Sequence, residues 1–272
     1  MQSITLEKLL GERANQNFYE YQTQAHLNWR KLLNIQLESI EYRAVKPFIE
    51  GLVKIKDFIQ DIPNINALSE FLQEQTGWQL WPVKGLLEAE DYFYLLSHRY
   101  FPVATFVRSN TDINFSPLPD LWHDIFGHIP LLFSPIYSNF LQYLGNQYVT
   151  IKNANDKDIE QEIGRLFWYT IEAGICYEEE KLRVYGASQL SSIQEIRYAL
   201  SEHPIRYPFK LEEVINFPVE IDRVQDQLFE IPSFEYLRVI QDNFDSYIKG
   251  RSKKKEEISR VSIQPSAISF QL

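Results

Sequence analysis

The chain has 272 residues, enough to bury a sizeable core in one large domain or two small ones. Aromatics make up 14% of it, and 27 basic against 37 acidic residues leave a formal charge of −10, which argues against nucleic acid or an anionic membrane as a partner. The one cysteine, Cys176, excludes an internal disulfide, and no apolar run suits a signal peptide or a membrane span, so the expectation is a soluble, cytoplasmic protein.

In chain order, residues 21–59 carry apolar positions at helical spacing (Trp29, Leu32, Leu33, Leu37, Ile40), and Pro47 marks a break or a new start. NALSEFLQEQTG (66–77) reads as a short helix with Asn66 as N-cap and Gly77 just past its end. WQLWPV (78–83) alternates like a strand, EAEDYFYLLSHR (88–99) is helical, FPVATFVR (101–108) is a strand ending at Arg108, and SNTDINFSPLP (109–119) is a loop. Ser134 and Pro135 open another helix, and the polar KNANDKD leads into a long one that holds Glu172. LRVYG reads as a strand, and Ser192 with Glu195 has the form of a capping box. A last helix spans 233–249 with Gly250 as its stop, and the charged RSKKKEE begins a tail. The sum is a single, mainly helical domain with a few short β-strands over residues 1–250, followed by a tail over 251–272 that should be dispensable for chemistry.

Two stretches carry candidate chemistry. In PDLWHDIFGHIP (119–130), His123 and His128 are five apart, about 140° around an ideal α-helix, so they cannot share one face of it. The expected solution is a helix that ends at Gly127 and turns His128 back toward His123, with Asp120 or Asp124 as acceptor for a ring N–H. Taken alone, this spacing also suits one core and one surface histidine. In FWYTIEAGIC (167–176), Glu172 stands alone in an apolar run, and a buried carboxylate without a partner costs several kcal/mol, order of magnitude. A divalent cation would compensate it, although a crevice edge or a distant lysine would serve too. Two histidines and a carboxylate fit both a non-haem iron oxygenase and a zinc hydrolase, and spacing does not separate them.

PDLWHDIFGHIPLL, WYTIEAG and YGASQLSS, together with TGWQLWPVKGLL and FPVATFVR, resemble the pterin-dependent aromatic amino acid hydroxylases, especially the bacterial phenylalanine 4-monooxygenases, from about Trp29 to Phe234. The resemblance implies their catalytic-domain fold, with iron(II), a tetrahydropterin and dioxygen acting on the ring of a free aromatic amino acid. Phenylalanine to tyrosine is the first expectation; tryptophan or another aromatic compound is the alternative, with a zinc hydrolase or a non-catalytic binder behind it. By position, the resemblance makes His123, His128 and Glu172 the metal ligands and assigns the substrate carboxylate to Arg108. It places Trp168 in the aromatic pocket and Ser191 behind a ligand histidine. Gly85, Leu86 and Leu87 would meet the pterin edge, Tyr92 would stack on its ring, and Asp124 would lie on its side. Leu118, Phe167, Ala173 and Ser188 depart from the family pattern, which has Glu, Tyr, Phe and Gly there, so substrate choice is the property they bear on.

Overall fold

The helical periodicity of the first third of the chain resolves into three helices in the computed structural model, which describes residues 9, 11, 13–108, 113, 116, 118–219 and 224–262. These are α1 (Thr23–Ile40), α2 (Lys46–Ile55) and α3 (Ile65–Thr76). Pro47 lies in the first turn of α2, where its missing N–H is not needed. The N-cap of α3 is Asn64 rather than Asn66: its side chain accepts the Ala67 N–H at 3.1 Å, while Asn66 falls inside the helix. Gly77 closes α3 in the left-handed conformation, φ +77°, and its N–H donates to Gln73.

The chain then runs through β1 (Gln79–Val83), α4 (Ala89–Ser97) and β2 (Tyr100–Ala104), with β1 and β2 paired in parallel so that Val83 faces Ala104. β2 stops at Ala104, four residues before Arg108: Thr105 still donates its N–H to Val83 of β1, but the Phe106 carbonyl turns to the Leu121 N–H and the Arg108 N–H to the Asp120 side chain. Of the loop expected over 109–119, most residues lie outside the described set.

After a π-helical turn (His123–His128) and a 3-10 turn (Ile129–Phe133), α5 (Pro135–Asn153) starts where Ser134 and Pro135 indicate. Phe93 of α4 stacks on Tyr148 of α5 at 4.5 Å. The long helix expected to hold Glu172 is in fact α6 (Lys157–Phe167) followed by a second π-helical turn, Trp168–Glu172.

β3 (Ile175–Glu178) and β4 (Lys181–Val184) form an antiparallel hairpin, followed by α7 (Ala187–Leu190), α8 (Ile193–Leu200), β5 (Ile205–Pro208), α9 (Leu211–Val214), β6 (Gln227–Ile231) and α10 (Tyr236–Ser262). The strands make a sheet of order β4-β3-β6-β5, with β6 parallel to both of its neighbours. Of this sheet only β4 is visible as a strand in the sequence. Ser192 caps α8 as expected, accepting the Glu195 N–H at 3.3 Å.

α10 does not stop at Gly250; it runs on to Ser262. A mid-helix glycine costs roughly 1 kcal/mol. Arg251 offsets that by reaching back to α6, donating to Glu162 at 2.6 Å and to Asp158 at 3.0 Å. The apolar tail positions Ile263, Ile268 and Phe270 lie outside the described residues.

The core is ring-rich where it supports the first π-turn. Trp122 stacks on Phe126 at 4.5 Å, Trp29 meets Trp122 edge-on at 5.2 Å, and Phe48 meets Phe126 at 5.8 Å. Each such pair adds roughly 0.5–1.5 kcal/mol beyond the area it buries. One face of the turn is thereby locked into the core, and the histidines project from another.

Candidate active site

A π-turn closes its backbone hydrogen bonds over five residues instead of four, so positions five apart come onto one face. That is the local answer to His123 and His128. Gly127 does not end a helix; it lies inside the turn. Its lack of a side chain matters for another reason: a Cβ there would sit 2.8 Å from the carbonyl oxygen of Ala187, in α7. Glu172 is positioned by the second π-turn, which the Ala173 N–H closes by donating to the Trp168 carbonyl at 2.8 Å.

The two turns face one another. His123 Nε2 and His128 Nε2 are 3.3 Å apart; Glu172 Oε1 lies 3.3 Å from His128 Nε2, and Oε2 lies 3.5 Å from His123 Nε2. Ligands bound at about 2.0–2.2 Å to one ion stand roughly 3.0–3.5 Å from each other, so this triangle matches a single divalent cation.

Hydrogen bonds fix which atoms face that point. The Ser191 hydroxyl lies 2.8 Å from the Ala187 carbonyl and 2.9 Å from His123 Nδ1. Its one proton goes to the carbonyl, so His123 Nδ1–H donates to Ser191 and Nε2 keeps its lone pair. On His128, Nδ1 pairs with the Tyr137 hydroxyl at 3.3 Å, and Phe101 packs 4.8 Å from the ring. Neither Asp120 nor Asp124 holds a ring nitrogen, contrary to expectation, because each is committed to backbone and, for Asp120, to Arg108.

Burial pushes the His123 ring down to about 4, despite the opposing pull of Glu172, so it is neutral near pH 7. Burial alone would raise the Glu172 carboxyl, but His128, His123 and the Ser188 hydroxyl outweigh it and bring the group down to about 2. The neutral His123 ring and the ionised Glu172 carboxylate are donors of the kind a divalent metal requires.

Asp124 is the competing carboxylate, since one of its oxygens lies within 4.8 Å of ligand atoms of both histidines. Its Oδ2 accepts the Ala104 N–H at 2.6 Å. Burial, reinforced by Asp120 and Glu172, holds its carboxyl well above the usual range. Glu172 is therefore the better anionic ligand, and Asp124 the better proton carrier.

Arg108 is buried and held on all sides. Its backbone N–H and Nε donate to Asp120 Oδ2, each at 2.9 Å; Nη2 donates to Oδ1 at 2.7 Å and Nη1 to the Ile113 carbonyl at 3.0 Å. Among the described residues, one N–H on each terminal nitrogen remains for a ligand. Asp120 Oδ1 also accepts the His123 backbone N–H at 3.1 Å, so one fully buried carboxylate joins the arginine to the histidine turn.

The residues expected to meet the pterin lie on α4, just past β1 and in the first π-turn. Tyr92 of α4 lies edge-on to Phe101, 6.5 Å away, and to Phe167, 5.6 Å away. Gly85, Leu86 and Leu87 leave β1 at the sheet edge where Asp124 grips Ala104, with Leu86 exposed and Leu87 packed on a small satellite core. Trp168 is half-buried at the start of the second turn, and its buried indole N–H has no hydrogen-bond partner among the described residues. Ala173 is buried in the core beside Glu172.

Sequence reasoning missed Tyr137, Phe101 and Glu195 as members of this neighbourhood. Burial, then repulsion by Glu172, pushes the Glu195 carboxyl up to about 7, against the pull of Arg108. Its capping position was visible in the sequence; its placement near Arg108 and Glu172 was not.

Known proteins share this arrangement's chain. Residues 11–257 match the family model described as Biopterin-dependent aromatic amino acid hydroxylase. Phenylalanine-4-hydroxylase of Pseudomonas aeruginosa is 32% identical over 233 residues, 86% of this chain and 87% of its own. That of Chromobacterium violaceum is 34% identical over 218 residues, 80% of this chain and 72% of its own. A crystal structure of the C. violaceum enzyme with bound iron(III) and oxidised cofactor 7,8-dihydrobiopterin superposes with a TM-score of 0.78 at 32% identity, covering 87% of this chain and 88% of that one. With the match spanning both π-turns, the Arg108 segment and the β1–α4–β2 unit, the chain belongs to the biopterin-dependent aromatic amino acid hydroxylase family.

Proposed function

We propose that this chain is an iron(II)- and tetrahydropterin-dependent monooxygenase that converts phenylalanine to tyrosine. The observation that carries the proposal is the triangle of His123 Nε2, His128 Nε2 and the Glu172 carboxylate, 3.3–3.5 Å on a side, next to a buried arginine. These three side chains would hold the metal. Bound there, iron and the reduced pterin supply the activation of dioxygen, one oxygen atom going to each organic partner.

The protein's own part is binding and orientation. Arg108 offers its two remaining N–H groups to the substrate carboxylate, and Asp120 keeps the guanidinium from swinging away. Trp168 forms a wall of the ring pocket. Tyr92 and the Gly85–Leu86–Leu87 backbone receive the pterin, and Asp124, whose carboxyl burial holds well above the usual range, lies on its side. Ser191 keeps His123 in the tautomer that presents Nε2. The partners are then a small aromatic amino acid and a pterin, and the one free, buried cysteine fits the reducing cytoplasm.

The test is anaerobic reconstitution with iron(II), followed by tetrahydropterin, oxygen and each aromatic amino acid in turn. Tyrosine from phenylalanine, coupled to pterin oxidation, is the expected result. Hydroxylation of tryptophan in preference to phenylalanine would overturn the substrate assignment, and hydrolytic activity with zinc would overturn the reaction.

A further inference from the structure

Ser188 belongs to α7, the short helix that Gly127 lets approach the first π-turn. Its hydroxyl donates to Glu172 Oε2 at 3.0 Å, and its backbone carbonyl lies 3.3 Å from the Ser191 hydroxyl that holds His123. One residue thus touches the support of both π-turns. Glycine, which the family pattern carries at this position, has no hydroxyl to offer.

A carboxylate binds a cation through one oxygen or through both. Binding through both draws the electron density of each oxygen toward the metal and sets the carboxylate plane to bisect it. A hydroxyl proton on Oε2 competes for that density and weakens that oxygen as a ligand. Among the described residues Oε1 has no such hydroxyl donor and lies 3.3 Å from His128 Nε2, whereas Oε2 divides its lone pairs between the Ser188 proton and the side facing His123 Nε2, 3.5 Å away.

We propose that Ser188 is a positioning residue that makes Glu172 a single-oxygen ligand through Oε1, leaving one more coordination position open to exchangeable ligands. The proposal rests on the reading of Glu172 as a ligand. It adds a reason why the carboxylate is asymmetric before any metal arrives.

The experiment is a cobalt(II) titration of the full-length protein, reading affinity and the ligand-field absorption, whose intensity falls as coordination number rises. Ser188→Ala is expected to weaken the visible bands, as Oε2 joins the metal, and to shift Kd by about tenfold. Ser188→Thr, which keeps the hydroxyl, is expected to retain the wild-type spectrum. A Ser188→Ala spectrum that superimposes on wild type overturns the proposal whatever the affinity, and so does a threonine spectrum that matches the alanine one. Glu172→Ala in the same titration separates the two layers. Undiminished cobalt binding in that variant overturns the ligand assignment itself. Lost binding there, beside an unchanged Ser188→Ala spectrum, removes only the role of Ser188.

Discussion

Replacing Arg108 by alanine should damage two properties of different origin, and the structure separates them. The first is stability. Asp120 is fully buried and accepts hydrogen bonds from Arg108 Nε and Nη2; alanine removes both and leaves only two backbone N–H donors on the carboxylate. Stranding one member of a buried ion pair costs about 3–5 kcal/mol. For a domain with roughly 5–15 kcal/mol of total stability, that is a large share, and it corresponds to a fall in Tm on the order of 10 °C. The second property is recognition. A charge-assisted, two-point contact to a carboxylate is worth about 1.5–3 kcal/mol, so the apparent KM for the amino acid should rise roughly tenfold to hundredfold while that for the pterin stays put. Thermal unfolding and two KM series on one variant read both. Adding Asp120→Asn to Arg108→Ala removes the stranded charge, so Tm should recover in part and KM should not. A wild-type Tm in Arg108→Ala would refute the buried-pair argument. Equal KM changes for amino acid and pterin would refute the carboxylate role.

Alanine at His123, His128 or Glu172 should each remove most bound iron and nearly all turnover; a variant that keeps normal iron content in metal analysis would show that its residue is not a ligand. In the metal-free protein, His123 titrates at about 4 when folded against 6.5 in the open chain, so the unfolded state binds more protons between those values and stability should drop as pH falls through that window. Glu172, about 2 when folded against 4.5 in the open chain, extends the loss as pH falls further, from 4.5 toward 2; denaturation midpoints that stay flat from pH 6.5 to 4 would contradict the buried, neutral His123. Truncation after Gly250 removes Arg251 from Glu162 and should lower Tm while leaving turnover at 25 °C near normal, whereas truncation after Lys253 should leave both Tm and turnover unchanged; equal Tm values for the two would show that the Arg251 contacts stabilise nothing.

Helices with a clean apolar period were readable from residues alone, and so were their caps wherever one candidate stood in place, as at Ser192 and Gly77. Asn64 and Asn66 both suit a cap by type, and only the bond to Ala67 decides between them. The candidate ligand set came from residue types in two stretches and was singled out by family resemblance, not by periodicity, because a test for 3.6-residue spacing excludes His123 and His128 from one face by construction. Partnerships across long separations left no local signal: Ser191 meets His123 over 68 residues, and Arg108 claims Asp120, which sequence reasoning had given to a histidine. The β3–β6 pairing is likewise non-local. Gly250 misled because its cost within a helix is small beside what Arg251 gains on α6.

Both stretches that supply the metal-facing side chains are π-turns, and a π-turn is what an α-helix becomes when it must absorb one residue too many. Deleting one residue between His123 and His128 would turn a five-residue interval into four, the spacing at which an ordinary α-helix already aligns two side chains. The histidine pair could then persist on a more regular backbone, but everything C-terminal to it, from Pro130 into α5, would rotate by about 100° relative to the core. The extra residue therefore works as a register shim between a histidine pair and a helix packed elsewhere.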